Sequence, residues 1–157
     1  MLINQTSVLV TATVSALLAG GSVIALGRGH QAPVQPIPRG ADGHFWVDGT
    51  TSSDVGRARI HFLVDTGAST VALTATDAAR LGLSPERLIY SRPVFTAQGE
   101  VQAAPVMLSR IDVGGVQVRE VKALVLKAGP KTSLLGMSYL GRLSRIEATP
   151  DSLILKR

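Results

Sequence analysis

The sequence has no cysteine, so it can form neither a disulfide nor a thiolate metal site. Its three histidines, His30, His44 and His61, are scattered without metal-ligand spacing, and no metal or organic cofactor is implied. Aromatic residues are scarce: three Phe, two Tyr and one Trp. The core must therefore come from Val, Leu, Ile and Ala. No Asp, Glu, Lys or Arg precedes Arg28. Basic residues exceed acidic ones, 16 against 11, but they are spread singly and not interleaved with aromatics. That spacing describes a solvated surface and argues against a nucleic-acid partner.

The uncharged N-terminal stretch, residues 7–27, is moderately hydrophobic and long enough to cross a bilayer as a helix. A cleaved signal peptide competes with this reading, because small residues surround Ala19 to Ala25; the basic n-region is missing, however. The expectation adopted is one retained membrane-spanning helix after a tail at 1–6. Pro33, Pro36, Pro38, Gly40 and Gly43 follow, so 28–42 reads as an extended linker and 43–157 as one folded domain.

Within that domain the informative stretch is Ile60 to Thr70. An apolar run rich in strand formers leads to a lone carboxylate, Asp65, and then to Thr66 and Gly67. A strand ending at Val64 holds Asp65 on a rigid element, dry on one side and open on the other. Taken alone, Asp-Thr-Gly is an ordinary turn. Its surroundings are less ordinary: Ala68, Ser69 and Thr70 follow, and an apolar-apolar-Gly unit, Leu134-Leu135-Gly136, lies well downstream.

Other elements read in order. His44 to Asp48 predicts a first strand, Gly49 to Gly56 a polar turn, and Arg57 to Val64 the return strand. His61 reads as a partly exposed strand histidine. Val71 to Leu73 continues as a strand, and Thr74 caps a helix over Ala75 to Leu81 that stops at Gly82. Arg92 to Ala97 and Glu100 to Leu108 form a hairpin with Gln98-Gly99 at its tip. Ile111 to Val113 and Val116 to Leu126 flank Gly114-Gly115. Lys131 to Gly136, a helical turn at Met137 to Gly141, and strands at Arg145 to Ala148 and Ser152 to Leu155 complete the chain, the last two available to pair with a second copy.

The Asp65 motif, the Thr96 to Glu100 turn and the Leu134 to Leu140 stretch together resemble the retropepsin-like aspartic proteases, and more closely a bacterial branch with a membrane-spanning N-terminus. The resemblance implies an all-β fold: a closed, mostly antiparallel barrel with one or two short helices. It implies an aspartic endopeptidase acting on protein or peptide substrates, with Asp65 as catalytic acid/base. Thr66, Gly67 and Ala68 form the active-site loop, and Thr66 locks two loops together across a twofold axis. Thr96, Ala97, Gln98 and Gly99 form a flap over substrate, while Leu134, Leu135 and Gly136 support the loop from beneath. No second Asp-Thr-Gly or Asp-Ser-Gly exists in the chain. The partner acid is then Asp65 of a second copy, and the enzyme is a homodimer.

Two departures from the family pattern carry consequences. Ala68 replaces a hydroxyl donor, which implies an optimum only mildly acidic. Met137 replaces an Arg brace, which implies weak dimerisation assisted by the membrane tether. Arg28 and Arg39 after the apolar stretch would put the domain in the cytoplasm by the positive-inside rule. The resemblance instead implies a single-pass inner-membrane protein with its domain in the periplasm, and this is the expectation taken. The rival from another class is a non-catalytic peptide-binding or dimerisation module on the same fold.

Overall fold

In the computed structural model, which describes residues 36–96 and 99–157, two hairpins and two short strands form a closed wall. The described residues all belong to the unit Gln31–Arg157. Strand β1 is Ile37–Pro38, β2 Trp46–Ser52, β3 Arg57–Val64 and β4 Val71–Leu73. Helix α1, Ala75–Arg80, and a 3-10 turn, Pro85–Arg87, precede β5, Arg92–Thr96. Then come β6 (Gly99–Val113), β7 (Val116–Leu126), β8 (Ser133–Leu135), α2 (Met137–Leu140), β9 (Arg145–Ala148) and β10 (Ser152–Lys156).

The main sheet runs β2-β3-β8-β4-β7-β6, and β2 pairs with β6 to close it into a barrel; β5 hangs from the other end of β6. Closure removes the free edges that an open sheet exposes. The pairs β3–β8 and β4–β7 are parallel and the rest antiparallel. The expected all-β barrel with short helices is therefore what forms.

Alternation explains the wall. On β2 and β3, Val47, Gly49, Thr51, Ile60 and Phe62 point inward and are buried, while Asp48, Arg59 and His61 are exposed. Asp48 accepts from Arg59 (3.0 Å) and shares a 2.9 Å hydrogen bond with the His61 ring. These contacts, His61 first, hold the Asp48 carboxyl below its usual range. His61 also stacks on Trp46 at 5.2 Å.

The strand β2 runs through Ser52, beyond the end expected at Asp48. Gly49 lies under the Phe62 ring, where a Cβ would come within 3.0 Å of it, and Thr50 and Thr51 continue the ladder. Only residues 53–56 make the turn, tied by Ser53. The expected strands 100–108 and 111–113 are likewise one strand, β6. Its inward set shifts from Ala104 and Leu108 to Ile111 and Val113, and β7 shifts from Val116 and Val118 to Val121, Ala123 and Val125. The two strands turn a barrel corner together, and Glu120 takes up the phase change at φ 49°. Arg142 donates to the carbonyls of Arg119 and Glu120 at this corner. Gly114 and Gly115 both have positive φ, as a two-residue hairpin of twisted strands requires.

Ile37 and Pro38 pair with Leu153 and Ser152, and β10 pairs on its other side with β9. The end of the Pro-rich stretch thus belongs to the fold, because Ile37 packs on the core. Within the chain the C-terminal strands pair in a sheet ordered β1-β10-β9, which leaves β9 at its edge. The helix expected at 7–27 lies outside the described residues. Among those described, no helix is long and apolar enough to cross a membrane.

Thr51 is fully buried and its hydroxyl has no partner among the described residues. A buried hydroxyl that has lost its water costs about 1–3 kcal/mol. Thr51→Val, nearly the same shape without that group, should raise stability by about 1 kcal/mol. An unchanged or lowered denaturant midpoint would count against an orphaned hydroxyl.

Candidate active site

Asp65 leaves β3 between two pairing neighbours. Leu63 and Val64 stand opposite Leu134 and Leu135 of β8, and the Asp65 N–H donates to the Leu135 carbonyl at 3.2 Å. On the other side Val64 N–H donates to Phe45 O at 2.9 Å. The carboxylate is thus fixed by backbone on both flanks. The turn then closes on itself, with Ala68 N–H on Asp65 O and Gly67 N–H on Asp65 Oδ1 at 2.8 Å. Oδ2 has no partner among the described residues. Gly67 serves by close approach, not by a left-handed backbone, since a Cβ there would stand 3.2 Å from Oδ1.

The loop rests on the turn from β8 into α2. Met137 N–H donates to Ala68 O at 2.8 Å, and Val71 N–H donates to Ser138 Oγ at 2.9 Å. Ser138 in turn donates to Lys122 O at 2.7 Å. A Cβ on Gly136 would fall 2.4 Å from Thr70 O and 2.7 Å from Ala68 O, so two backbones touch here. Leu135 is fully buried beneath them. Leu135 and Gly136 thus meet the Asp65 loop through their backbones, while Leu134 pairs with Leu63 beside it.

Above the loop lies a groove of about 490 Å³. Asp65 is the one acid in its lining; Gly67, Ala68, Thr96 and Leu134 also line it. Thr66 does not, and its exposed hydroxyl has no partner within the described chain. Gly99 stands opposite Thr96, whose hydroxyl donates to the Gly99 carbonyl. Gly99 therefore belongs to β6 and not to the tip where it was expected. Ala97 and Gln98 lie outside the described residues.

The groove walls were not anticipated. Leu63, Ala72, Val94, Phe95, Leu124, Leu126 and Pro130 come from separate elements. A signal existed for two of them. Leu124 and Leu126 share with Lys122 the side of β7 opposite Val121, Ala123 and Val125, so they are apolar residues that the main core does not take up. They form a second cluster with Ala72 and Ala103. Phe95, 85% exposed, is a large apolar side chain left in solvent at the groove mouth. No cluster of His, Cys, Asp or Glu fit to hold a metal occurs among the described residues.

A family model described as "gag-polyprotein putative aspartyl protease" matches residues 52–142. An uncharacterized protein in the cobV 5' region of Sinorhizobium sp is 40% identical over 146 residues, covering 89% of this chain and 60% of that protein. Uncharacterized protein RP867 of Rickettsia prowazekii is 40% identical over 119 residues, covering 76% of this chain and 49% of its own length. The chain thus spans about half to three-fifths of these curated relatives. Among solved structures, a retropepsin-like aspartic protease from Rickettsia conorii superposes with a TM-score of 0.68 at 39% identity, covering 79% of this chain and 99% of that one.

Proposed function

Because this chain belongs to the retropepsin-like aspartic protease family, we propose that it is an aspartic endopeptidase, active as a homodimer in which two Asp65 carboxyls share one water. The observation that carries the proposal is the Asp65 carboxylate itself. It is held by strand pairing on both flanks, pinned at Oδ1 by Gly67 and open at Oδ2 to an apolar groove.

One acid per groove cannot both take and give a proton. Two identical chains meeting at a twofold axis supply the second. The ionised carboxyl takes a proton from water as its oxygen attacks the scissile carbonyl. The protonated carboxyl gives its proton to the carbonyl oxygen. On collapse of the tetrahedral diol the C–N bond breaks, the nitrogen takes the proton now on the first carboxyl, and a diol hydroxyl gives its proton to the second, so the pair again holds one. Close carboxyls titrate as a unit, so the activity profile reports the pair. Ala68 offers no hydroxyl to the dyad, and the optimum is accordingly mildly acidic. The exposed Thr66 hydroxyl is free to bond its copy across the axis. Residues 7–27 anchor the protein in the inner membrane with the domain in the periplasm.

A peptide-library digest scanned over pH tests the reading. Cleavage with apolar residues beside the scissile bond and a peak in the mildly acidic range is expected. A peak as low as that of pepsin would contradict the role given to Ala68, and no cleavage at any pH would leave the fold as a peptide-binding module. The dimer has its own test. Wild type mixed with an equal amount of Asp65→Asn chain, after subunit exchange, should retain about one quarter of the activity of the same total chain, because both acids must be present in one dimer. Retention of one half would mean that each chain cuts alone.

A further inference from the structure

Away from the groove, three arginines stand in a row across four strands. Arg57 of β3 lies opposite Ser52 of β2, Ser52 opposite Arg110 of β6, and Arg110 opposite Arg119 of β7. Neighbouring side chains in such a row are about 5 Å apart, and like charges directly opposite repel. None of the three guanidiniums has an ion-pair or hydrogen-bond partner among the described residues, although Asp54, Asp112 and Glu120 lie nearby in sequence. The acids that do pair choose others: Asp42 takes His44, Asp48 takes Arg59 and His61, Asp77 takes Arg80, and Glu147 takes Arg145. Two arginines of the row, Arg110 and Arg119, line a small cleft of about 180 Å³ together with Ser52 and Ser109. Arg142 adds a fourth guanidinium at the carbonyls of Arg119 and Glu120.

We propose that this cleft is a binding site for a phosphate group, held between Arg110 and Arg119 with the Ser52 hydroxyl as a further donor and Arg57 at the rim. The lining decides the class of ligand: two guanidiniums and two serine hydroxyls, with no acid among them, suit an oxyanion. Guanidinium forks match phosphate oxygens in pairs. A bound dianion also turns the repulsion within the row into attraction. The barrel corner makes the site: where β6 and β7 change phase together, Arg110 and Arg119 are left facing out beside Ser52. The phosphate belongs either to a soluble compound or to a lipid headgroup, and one experiment separates them.

The full chain is titrated with inorganic phosphate at constant pH and ionic strength, chloride replacing it in the control, and thermal unfolding is followed. Saturable stabilisation by phosphate over chloride is expected. Arg110→Gln/Arg119→Gln should weaken the apparent affinity at least about tenfold. Without phosphate the same variant should unfold no earlier than wild type, because it removes a like-charge pair. Arg87→Gln, outside the row, should leave binding unchanged. In a second arm, wild type and double variant are compared on phosphatidylcholine vesicles with and without phosphatidic acid. A preference for phosphatidic acid that the double variant lacks assigns the site to a lipid headgroup. Phosphate binding with no such preference assigns it to soluble phosphates. No saturable phosphate effect in either arm, or one that survives the double substitution, overturns the proposal.

Discussion

Asp65→Asn should abolish peptide cleavage, by at least about 10³-fold, and leave the fold intact. The carboxamide has the same shape, and its oxygen still accepts the Gly67 N–H that now binds Oδ1. Neither the Leu135 nor the Phe45 backbone bond to this strand involves the side chain. Asp65 also lies at the groove and not in the core, so the stability change should stay within about 0.5 kcal/mol. What disappears is the proton chemistry, since an amide neither accepts a proton from water nor donates one as an acid does. Dimerisation should be unchanged or tighter, because two like acids no longer approach each other. The measurement is specific activity on the best library peptide, beside thermal unfolding and sedimentation. Cleavage persisting in a folded, dimeric variant would remove Asp65 from the mechanism.

Gly136→Ala should damage both stability and activity although the residue carries no chemistry. The added Cβ would stand 2.4 Å from Thr70 O and 2.7 Å from Ala68 O. Ordinary contact begins at 3.4 Å. Relief therefore needs a shift of about 1 Å in backbone that is itself tied by Met137 N–H to Ala68 O and by Val71 N–H to Ser138 Oγ. Such overpacking of fixed backbone costs about 2–3 kcal/mol. The same shift carries Asp65 with it, and a misplacement of that size costs on the order of 10²-fold in rate. Gly67→Ala is the milder comparison, its Cβ meeting only Asp65 Oδ1 at 3.2 Å. Denaturant unfolding and the peptide assay, run on both variants, check the ranking. A Gly136→Ala protein as stable and active as wild type would mean that the β8–α2 turn does not hold the loop.

Local pattern sufficed where the cause was local. The apolar run into Asp65 marked the end of β3, Thr74 marked the start of α1, and its hydroxyl does accept from Asp77 N–H. Gly114-Gly115 marked a hairpin, and Leu134-Leu135-Gly136 stood out as a unit. These features depend on neighbours a few residues away, and periodicity, capping and turn chemistry read such neighbours directly.

What the linear chain could not decide was who pairs with whom. The end of β2 was misjudged because Gly49 and the threonines after it look like a turn until Phe62 and Val113 are seen packed against them. β6 looked like two strands because its inward phase changes at the corner it shares with β7. The Pro-rich stretch looked like pure linker until Ile37 found Leu153. The groove gathers Ala72, Val94, Leu124, Leu126 and Leu134 from separate strands, and the arginine row crosses four. Barrel closure sets these distances, and closure is a balance of long-range pairing that no short window of sequence contains.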